Sequence, residues 1–261
     1  MTPEGVGEAV EAMLAARREM RPIPGLPEAG APATFDEAYL VQDAFVLRSG
    51  LGVGGWKVGC TSAAAQKMLG VSEPFFGPVF SPAIFRSPAE PSAASFHMLA
   101  LECEFAFRLG RDLPAREEPY GRERIIESVQ AVVPAIEVIS TRLDDFKAYG
   151  GLQITADCGA NGALVLGQEI RDWQDLDLDR HEVKLVVDGL EKAKGTGVAV
   201  LGHPLNALIW FASKMHERGR GLRTGEVIST GTCTGLTPVE AEQQAVADFG
   251  ALGTVEVKFR R

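Results

Sequence analysis

A change in the spacing of apolar residues near position 50 is the strongest constraint on how this chain can fold. Before it, apolar residues recur every three to four positions, which predicts an amphipathic helix over 6–19. After it, short apolar stretches alternate with glycine and proline, as is typical of strands joined by turns. We therefore predict an α+β protein, with an N-terminal helical arm over residues 1–50 and a strand-rich domain over 51–261.

Local signals place the elements within these two regions. The proline-rich segment 21–27 ends the first helix. Thr34, followed by Glu37, forms a capping box for a second helix that ends near Gly50. Apolar spacing predicts further helices over 62–69, 121–130 and 204–217, and strands over 55–60, 101–109, 134–139, 183–188, 197–201, 226–230 and 254–259.

Charge and composition exclude several classes of protein. Lysine and arginine total 26 against 35 aspartates and glutamates, giving a net charge of −9, whereas a nucleic-acid-binding protein needs a basic surface. No apolar run approaches the roughly 18 residues of a membrane span. No secretory signal is visible, and the four cysteines lack metal-ligand spacing. We expect a reduced, cytoplasmic protein without a nucleic-acid or membrane partner.

Three glutamates interrupt stretches that are otherwise apolar. In the predicted strand 101–109, Glu102 and Glu104 share one face, opposite the apolar side chains beside them. Glu137 is a lone charge among branched apolar residues of strand 134–139. Buried carboxylates are costly unless they are paired or bind a metal, and carboxylate oxygens suit Mg²⁺ or Mn²⁺ better than Zn²⁺. These glutamates are candidate metal ligands, although Glu102 and Glu104 could equally lie on a solvated sheet face.

Several motifs, taken in order, point to one enzyme family. They are Gly55-Trp56-Lys57-Val58-Gly59-Cys60-Thr61-Ser62, Glu102-Cys103-Glu104, Pro134-Ala135-Ile136-Glu137-Val138, Ala156-Asp157-Cys158-Gly159-Ala160-Asn161, Gly202-His203-Pro204-Leu205 and Ile228-Ser229-Thr230-Gly231-Thr232. Over residues 34–259 this order resembles the 2-keto-4-pentenoate hydratases and 4-oxalocrotonate decarboxylases of the fumarylacetoacetate hydrolase superfamily.

The resemblance implies a fold, a cofactor and a reaction. The fold is a mixed β-sheet roll, and the cofactor is Mg²⁺ or Mn²⁺ held by Glu102, Glu104 and Glu137. The substrate is a small 2-keto or 2-enol carboxylic acid, and the chain is expected to form a homo-oligomer. The implied reaction is the addition of water to a 2-hydroxy-2,4-dienoate in the breakdown of aromatic compounds.

Five further residues receive roles as hypotheses. Lys57 would stabilise negative charge on the substrate or move a proton, unless it is a surface lysine at a strand end. Thr232, with Thr230, would hold the substrate carboxylate in a glycine-containing turn, which is otherwise an ordinary turn. Asp157, if it does more than form a local turn, would orient Lys57 or a water. Arg142 is a candidate for binding a second substrate carboxylate.

Phe75 departs from the family pattern. The family has an acid in Pro-Asp-Phe-Gly, where this chain has Pro74-Phe75-Phe76-Gly77, so an aromatic side chain is expected in the pocket and hydration is put in question. Three alternatives to a hydratase stay open. They are a decarboxylase of a 2-oxo-enedioate, an acylpyruvate hydrolase (which needs a His–Glu pair that the sequence does not show) and a non-catalytic keto-acid-binding relative.

Overall fold

The computed structural model describes all 261 residues. The α-helices are α1 (Pro3–Glu19), α2 (Phe35–Ser49), α3 (Ala63–Leu69), α4 (Arg122–Ser128), α5 (Phe146–Ala156) and α6 (Pro204–Glu217). The strands are β1 (Val53–Gly59), β2 (Phe75–Phe80), β3 (Ile84–Arg86), β4 (Ala100–Leu109), β5 (Val129–Ile139), β6 (Asn161–Leu166), β7 (Glu182–Val187), β8 (Leu190–Thr196), β9 (Val227–Thr232), β10 (Thr237–Pro238), β11 (Gln244–Asp248) and β12 (Thr254–Lys258).

The strands form two sheets. The larger one has the order β2-β1-β9-β4-β5-β6-β3, with β10 beside β4. It is mixed, because the β1–β9 and β3–β6 pairs are parallel and the other pairs are antiparallel. The smaller sheet is antiparallel, in the order β12-β11-β7-β8. The predicted α+β class, with a mixed sheet and N-terminal helices, is confirmed.

Alternation along β4 separates the two faces of the larger sheet. Phe105 and Phe107 lie in the main apolar core, where the ring of Phe105 meets that of Phe249, after β11, at a centroid distance of 5.3 Å. Glu104 and Ala106 project to the opposite face, as the period of two requires. That face is buried as well, and Ala106 lies there in a separate cluster of small and branched apolar side chains.

The N-terminal arm packs directly against the larger sheet. Helices α1 and α2 share an apolar cluster in which Phe45 contacts Phe80 at the end of β2. The buried Gln42 amide donates hydrogen bonds to the carbonyl oxygens of Phe76 (3.0 Å) and Thr155 (2.7 Å). Both predicted helices of the arm are present, while a domain boundary near residue 50 stays a prediction.

Two predicted elements are wrong in detail. The predicted strand 197–201 is instead a 3₁₀ turn at Gly197–Ala199, followed by Leu201 in the left-handed region, because the chain must turn here to enter α6. The predicted helix 121–130 ends at Ser128, and β5 begins at the next residue.

Strand β2 and helix α5 are not predicted from the sequence, and the reason is local in each case. Strand β2 contains Pro78, which lacks a backbone N–H and is tolerated here because β2 is the edge of the sheet. Helix α5 is interrupted at Gly150, whose φ of 70° breaks the helical pattern. None of the helices combines the length and hydropathy that a membrane crossing requires.

Candidate active site

The three glutamates meet on the buried face of β4 and β5. Glu102 and Glu137 are direct partners in the antiparallel pairing, and Glu104 lies two residues further along β4 on the same face. One carboxylate oxygen from each lies within 4.8 Å of the other two. We call these residues the glutamate trio. Strand alternation therefore brings together the side chains that the sequence singled out.

The two fully buried carboxylates of the trio are only half satisfied. Oε2 of Glu104 accepts hydrogen bonds from the Ser229 hydroxyl (2.5 Å) and the Gly231 N–H (2.9 Å), and Oε1 of Glu137 accepts one from Asn161 Nδ2 (2.9 Å). Oε1 of Glu104 and Oε2 of Glu137 are buried without a hydrogen-bond partner. Leaving such oxygens unpaired is costly, and a hard divalent cation binds this type of atom. The donor set thus fits Mg²⁺ or Mn²⁺.

One ammonium group, that of Lys57, lies among these three acids. Its Nζ is 3.0 Å from Oε1 of Glu137 and donates a hydrogen bond to the Gly159 carbonyl (2.9 Å), and the side chain is 3% exposed. Burial opposes the charge of Lys57, but the neighbouring carboxylates outweigh it and raise its pKa. Burial, reinforced by Glu137, raises the pKa of Glu102 to about 7, and burial raises that of Glu104 well above its usual range. The three carboxyl groups thus share a single ammonium group, and the cluster has fewer positive than negative charges.

A left-handed turn presents the carbonyl that Lys57 contacts. Cys158, Gly159 and Ala160 have φ values of 57°, 66° and 59°. Left-handed backbone costs roughly 1–2 kcal/mol for each non-glycine residue, so surrounding contacts must hold such a turn in place. The residue after the turn, Asn161, donates to Glu137. The turn therefore contacts both Lys57 and the glutamate trio.

Asp157 and Arg142 form a buried ion pair that anchors this turn. The Asp157 carboxylate accepts hydrogen bonds from the Thr141 hydroxyl (2.6 Å), the Arg142 backbone N–H (2.8 Å) and Arg142 Nε. Nη2 of Arg142 donates to the Asp157 carbonyl (3.0 Å), and the guanidinium lies 5.0 Å from the centroid of the Phe45 ring. We call this the arginine–aspartate pair. Unlike the trio, it has one positive charge for one negative charge.

A cavity of about 590 Å³ reaches Lys57 and Glu102 from the surface. Thr232 also lines it, because an irregularity in the β9–β4 pairing at Gly231, whose φ is 111°, re-aims the end of β9. The Thr232 hydroxyl oxygen accepts a hydrogen bond from the Gly235 N–H (2.8 Å). Its hydrogen is left to donate toward the cavity.

Two residues expected at the substrate do not line this cavity. The buried Thr230 hydroxyl donates to the Phe105 carbonyl (2.7 Å), and Arg142 is occupied by Asp157. The substrate-binding roles of Thr230 and Arg142 stay predictions that the lining of this cavity does not support. Asp157 is bonded to Arg142 and Thr141, not to Lys57, so it can act on Lys57 only through the turn that follows it.

Phe75 forms part of the cavity wall at the position where an acid was expected. A Cβ atom added to Gly59 would lie 2.6 Å from its ring, and one added to Gly159 would lie 3.5 Å from the ring and 2.9 Å from Cδ of Lys57. The ring therefore packs against both glycines, close to the Lys57 stem. The Phe75 ring therefore gives the cavity an apolar surface at a position where a carboxyl group could transfer protons.

Two contacts of the site are not predicted from the sequence, namely that of Ser229 with Glu104 and that of the Gly159 carbonyl with Lys57. Ser229 pairs with Lys57 across β1 and β9, and its sequence signal is a hydroxyl directly after the apolar residues of its strand. A backbone carbonyl carries no residue-type signal, so the contact between Lys57 and Gly159 becomes visible only in three dimensions.

Comparison with known proteins identifies the family. The fumarylacetoacetate (FAA) hydrolase C-terminal family model matches residues 59–260. The chain belongs to the FAA hydrolase family.

Three relatives within the FAA hydrolase superfamily bear on the reaction. The chain is 32% identical to a 2-keto-4-pentenoate hydratase of Paraburkholderia xenovorans (strain LB400), over 99% of this chain and 96% of that protein. It is 31% identical to a 2-hydroxyhexa-2,4-dienoate hydratase of Comamonas testosteroni, over 94% and 93%. The 4-oxalocrotonate decarboxylase of Pseudomonas putida G7, solved with magnesium and adipate, superposes with a TM-score of 0.90 at 25% identity, over 99% and 98%. The predicted family is confirmed.

Proposed function

We propose that this protein is a divalent-metal-dependent hydratase that adds water to a 2-hydroxy-2,4-dienoate. The product would be a 4-hydroxy-2-keto acid, formed in the breakdown of aromatic compounds. The observation that carries the proposal is the glutamate trio, with two orphaned oxygens, beside the Lys57 ammonium at the inner end of the cavity. Similarity to hydratases of this substrate class over more than nine-tenths of both chains supports the reaction.

The trio is the proposed binding site for Mg²⁺ or Mn²⁺. A cation held there would stabilise negative charge on the oxygens of a bound acid. Thr232 would donate its free hydroxyl hydrogen to the substrate carboxylate, since the hydroxyl oxygen already accepts from the Gly235 N–H. Together these groups would fix the acid end of the substrate at the inner end of the cavity.

Lys57 is the proposed catalytic residue. Hydration first exchanges the enol proton on the C2 oxygen for a proton at C5, and then adds hydroxide at C4 and a proton at C3. Negative charge develops at the C2 oxygen in both steps. An ammonium has three N–H donors, and two of those of Lys57 are directed at Gly159 and Glu137. The third can donate to the C2 oxygen, where its positive charge lowers the energy of the developing anion.

Asp157 is proposed as a positioning residue. With Arg142 it anchors the left-handed turn, whose Gly159 carbonyl holds the Lys57 ammonium. Removing the aspartate would free the turn and let Lys57 leave the orientation that catalysis requires.

A decarboxylase of a 2-oxo-enedioate is the second candidate. The superposition at a TM-score of 0.90 on a 4-oxalocrotonate decarboxylase favours it. The cavity favours the hydratase, because Lys147 is its only cationic lining residue besides Lys57, and Lys147 is exposed. A second carboxylate would therefore have no buried cation to bind. No histidine lines the cavity, which argues against a hydrolase that uses a His–Glu pair.

Homo-oligomerisation also stays a proposal. Leu40 and Leu47 are exposed on α2 and lie seven residues apart, hence on one face of the helix. A second copy of the chain is the proposed partner of that face, and light scattering after gel filtration measures the assembled mass.

Product analysis with two substrates tests the reaction. The protein, supplied with Mg²⁺ or Mn²⁺, is incubated with 2-hydroxypenta-2,4-dienoate and, separately, with 4-oxalocrotonate. We expect the diene to disappear from the first with formation of the 4-hydroxy-2-keto acid and no CO₂. Release of CO₂ from the second at a higher rate would support the decarboxylase. Inertness toward both, and toward a 2-hydroxy-2,4-dienoate with a longer alkyl chain, would contradict both candidates.

A further inference from the structure

The cavity is larger than the polar end of a five-carbon acid requires. Its volume of about 590 Å³ falls within the roughly 300–1,000 Å³ of pockets that enclose drug-sized ligands. The groups proposed to bind the acid, Lys57, Glu102 and Thr232, occupy only part of its lining. The remaining space is therefore available to atoms beyond C5 of the substrate.

The inner part of the remaining wall is apolar. Leu69 from α3, Ile139 from β5 and Ile154 from α5 line the cavity and belong to one apolar cluster, together with Phe75 and Ala160. A carboxylate placed against these side chains would lose its hydration without gaining a cationic partner, which is costly. An alkyl chain placed there would be removed from water, which is favourable.

The apolar lining continues to the surface. Met68 from α3 lines the cavity and is 54% exposed, and Leu236, after β9, lines it and is 38% exposed. The Phe146 ring is also part of the lining, and the exposed Lys147 ammonium lies 5.8 Å from its centroid. A chain that leaves the inner cluster therefore meets further apolar surface before it reaches solvent.

We propose that the substrate carries, at the carbon farthest from its carboxylate, an unbranched alkyl group longer than methyl, seated against Leu69, Ile139 and Ile154. This inference rests on the proposed function for the identity of the acid end. It assigns the selectivity among dienoates to the apolar wall, and it predicts discrimination against a dioate of the same length.

Binding of unreactive acids tests this without requiring turnover. Dissociation constants of 2-oxopentanoate, 2-oxononanoate and 2-oxononanedioate are measured by titration calorimetry in the presence of Mg²⁺. Each fully buried methylene tightens binding about fourfold. Four methylenes, partly exposed at the open mouth, should tighten it at least tenfold, with the dioate weaker than 2-oxononanoate. Equal affinities for the two monoacids, or tighter binding of the dioate, would overturn the inference.

Two pairs of variants locate the effect. Ile154→Ala should reduce the affinity ratio of 2-oxononanoate to 2-oxopentanoate at least threefold, whereas Ile125→Ala, a buried isoleucine of α4 outside the cavity, should leave it unchanged. Met68→Glu should also reduce the ratio, whereas Ala63→Glu, at an exposed α3 position outside the lining, should not. Because the readout is a ratio, partial loss of folded protein cancels. Equal effects within each pair would contradict the proposed seat.

The turnover assay separates the two proposals. If neither 2-hydroxypenta-2,4-dienoate nor 2-hydroxynona-2,4-dienoate is hydrated but the monoacids bind with the expected chain-length dependence, the proposed function fails and the apolar seat stands. If either dienoate is hydrated but chain length has no effect on affinity, the function stands and the seat fails.

Discussion

Two buried charge clusters flank the left-handed turn at 158–160, and they differ in how their charges are compensated. The arginine–aspartate pair is balanced and satisfied, with four hydrogen bonds joining Asp157 to Arg142 and Thr141. The glutamate trio faces a single ammonium and leaves two buried oxygens without a partner. A buried ion pair with equal charges needs no further partner, whereas a buried cluster with excess negative charge needs a bound cation. The difference indicates that the glutamate trio binds a ligand and that the arginine–aspartate pair holds the turn in place.

The largest expected effect comes from removing the one cation of the unbalanced cluster. Lys57→Met should lower turnover by about 10²–10³-fold, the usual cost of removing one donor that stabilises a developing anion. Affinity for Mn²⁺, measured by calorimetry, should not weaken, because the carboxylates remain. Lys192→Met, at an exposed position of β8, is the control. Turnover equal to that of the unmodified protein would contradict the role given to Lys57.

Breaking the balanced pair should cost stability. Asp157→Asn leaves the buried Arg142 guanidinium uncompensated, and removing one member of a buried pair typically costs about 3–5 kcal/mol in the free energy of unfolding. Urea unfolding measures the loss, and Asp175→Asn, at an exposed position, is the control.

If the positioning role is right, the fraction of Asp157→Asn that stays folded should also show a lower kcat with Mn²⁺ affinity retained. A folded variant with normal kcat would show that the arginine–aspartate pair contributes to stability but does not position Lys57.

Adding a cation should complete the unbalanced cluster. Mn²⁺ at about 100 times its Kd should raise the free energy of unfolding by about 2.7 kcal/mol, since it binds only the folded state. Calorimetric melting with Mn²⁺ and then with excess chelator measures the gain and its reversal. Glu137→Gln should abolish the gain. An unchanged melting temperature in the unmodified protein would show that the trio does not bind the metal.

Removing one acid from each cluster should change stability in opposite directions. Asp157→Asn should lower the free energy of unfolding, whereas in metal-free protein at pH 8 Glu102→Gln should raise it, by up to about 3 kcal/mol for a pKa raised from 4.5 to about 7. A carboxyl whose pKa is raised to about 7 by folding loses stability as the pH rises through that value, and glutamine does not. The gain should therefore disappear below about pH 4. A loss of stability at pH 8 would show that the trio is not under repulsion.

The sequence was sufficient wherever a strand's alternation determined the outcome. The period of two along β4 is enough to place Glu102 and Glu104 on one face, and the lone charge in β5 is enough to single out Glu137. That Glu137 meets the other two depends on the β4–β5 pairing. The resemblance supplied Lys57 and the order of the motifs. Periodicity alone was not sufficient where the chain turns, as at 197–201, which is a 3₁₀ turn and not a strand.

The surroundings of other predicted site residues depend on the path of the chain in space. Thr232 rather than Thr230 lines the cavity because of the irregular pairing at Gly231, which periodicity does not show. Arg142 forms an ion pair with Asp157, fifteen residues further along the chain. The residues next to Arg142 in sequence do not indicate whether its partner is this aspartate or a substrate. The apolar surroundings of Phe75 come from the nearby helix α3 and from β5 and α5, which are distant from Phe75 in sequence.

The pairing of Glu102 with Glu137 across β4 and β5 has a consequence for how this chain can vary. The two side chains meet only in one alignment of the strands, and a shift by one residue would turn the β5 glutamate to the opposite face. An insertion inside either strand would thus destroy the site. The exposed loop over 115–119, between β4 and α4, carries no residue of the site and can change in length without disturbing it. Variation in loop length between otherwise similar chains should concentrate in such connections and spare the strands they join.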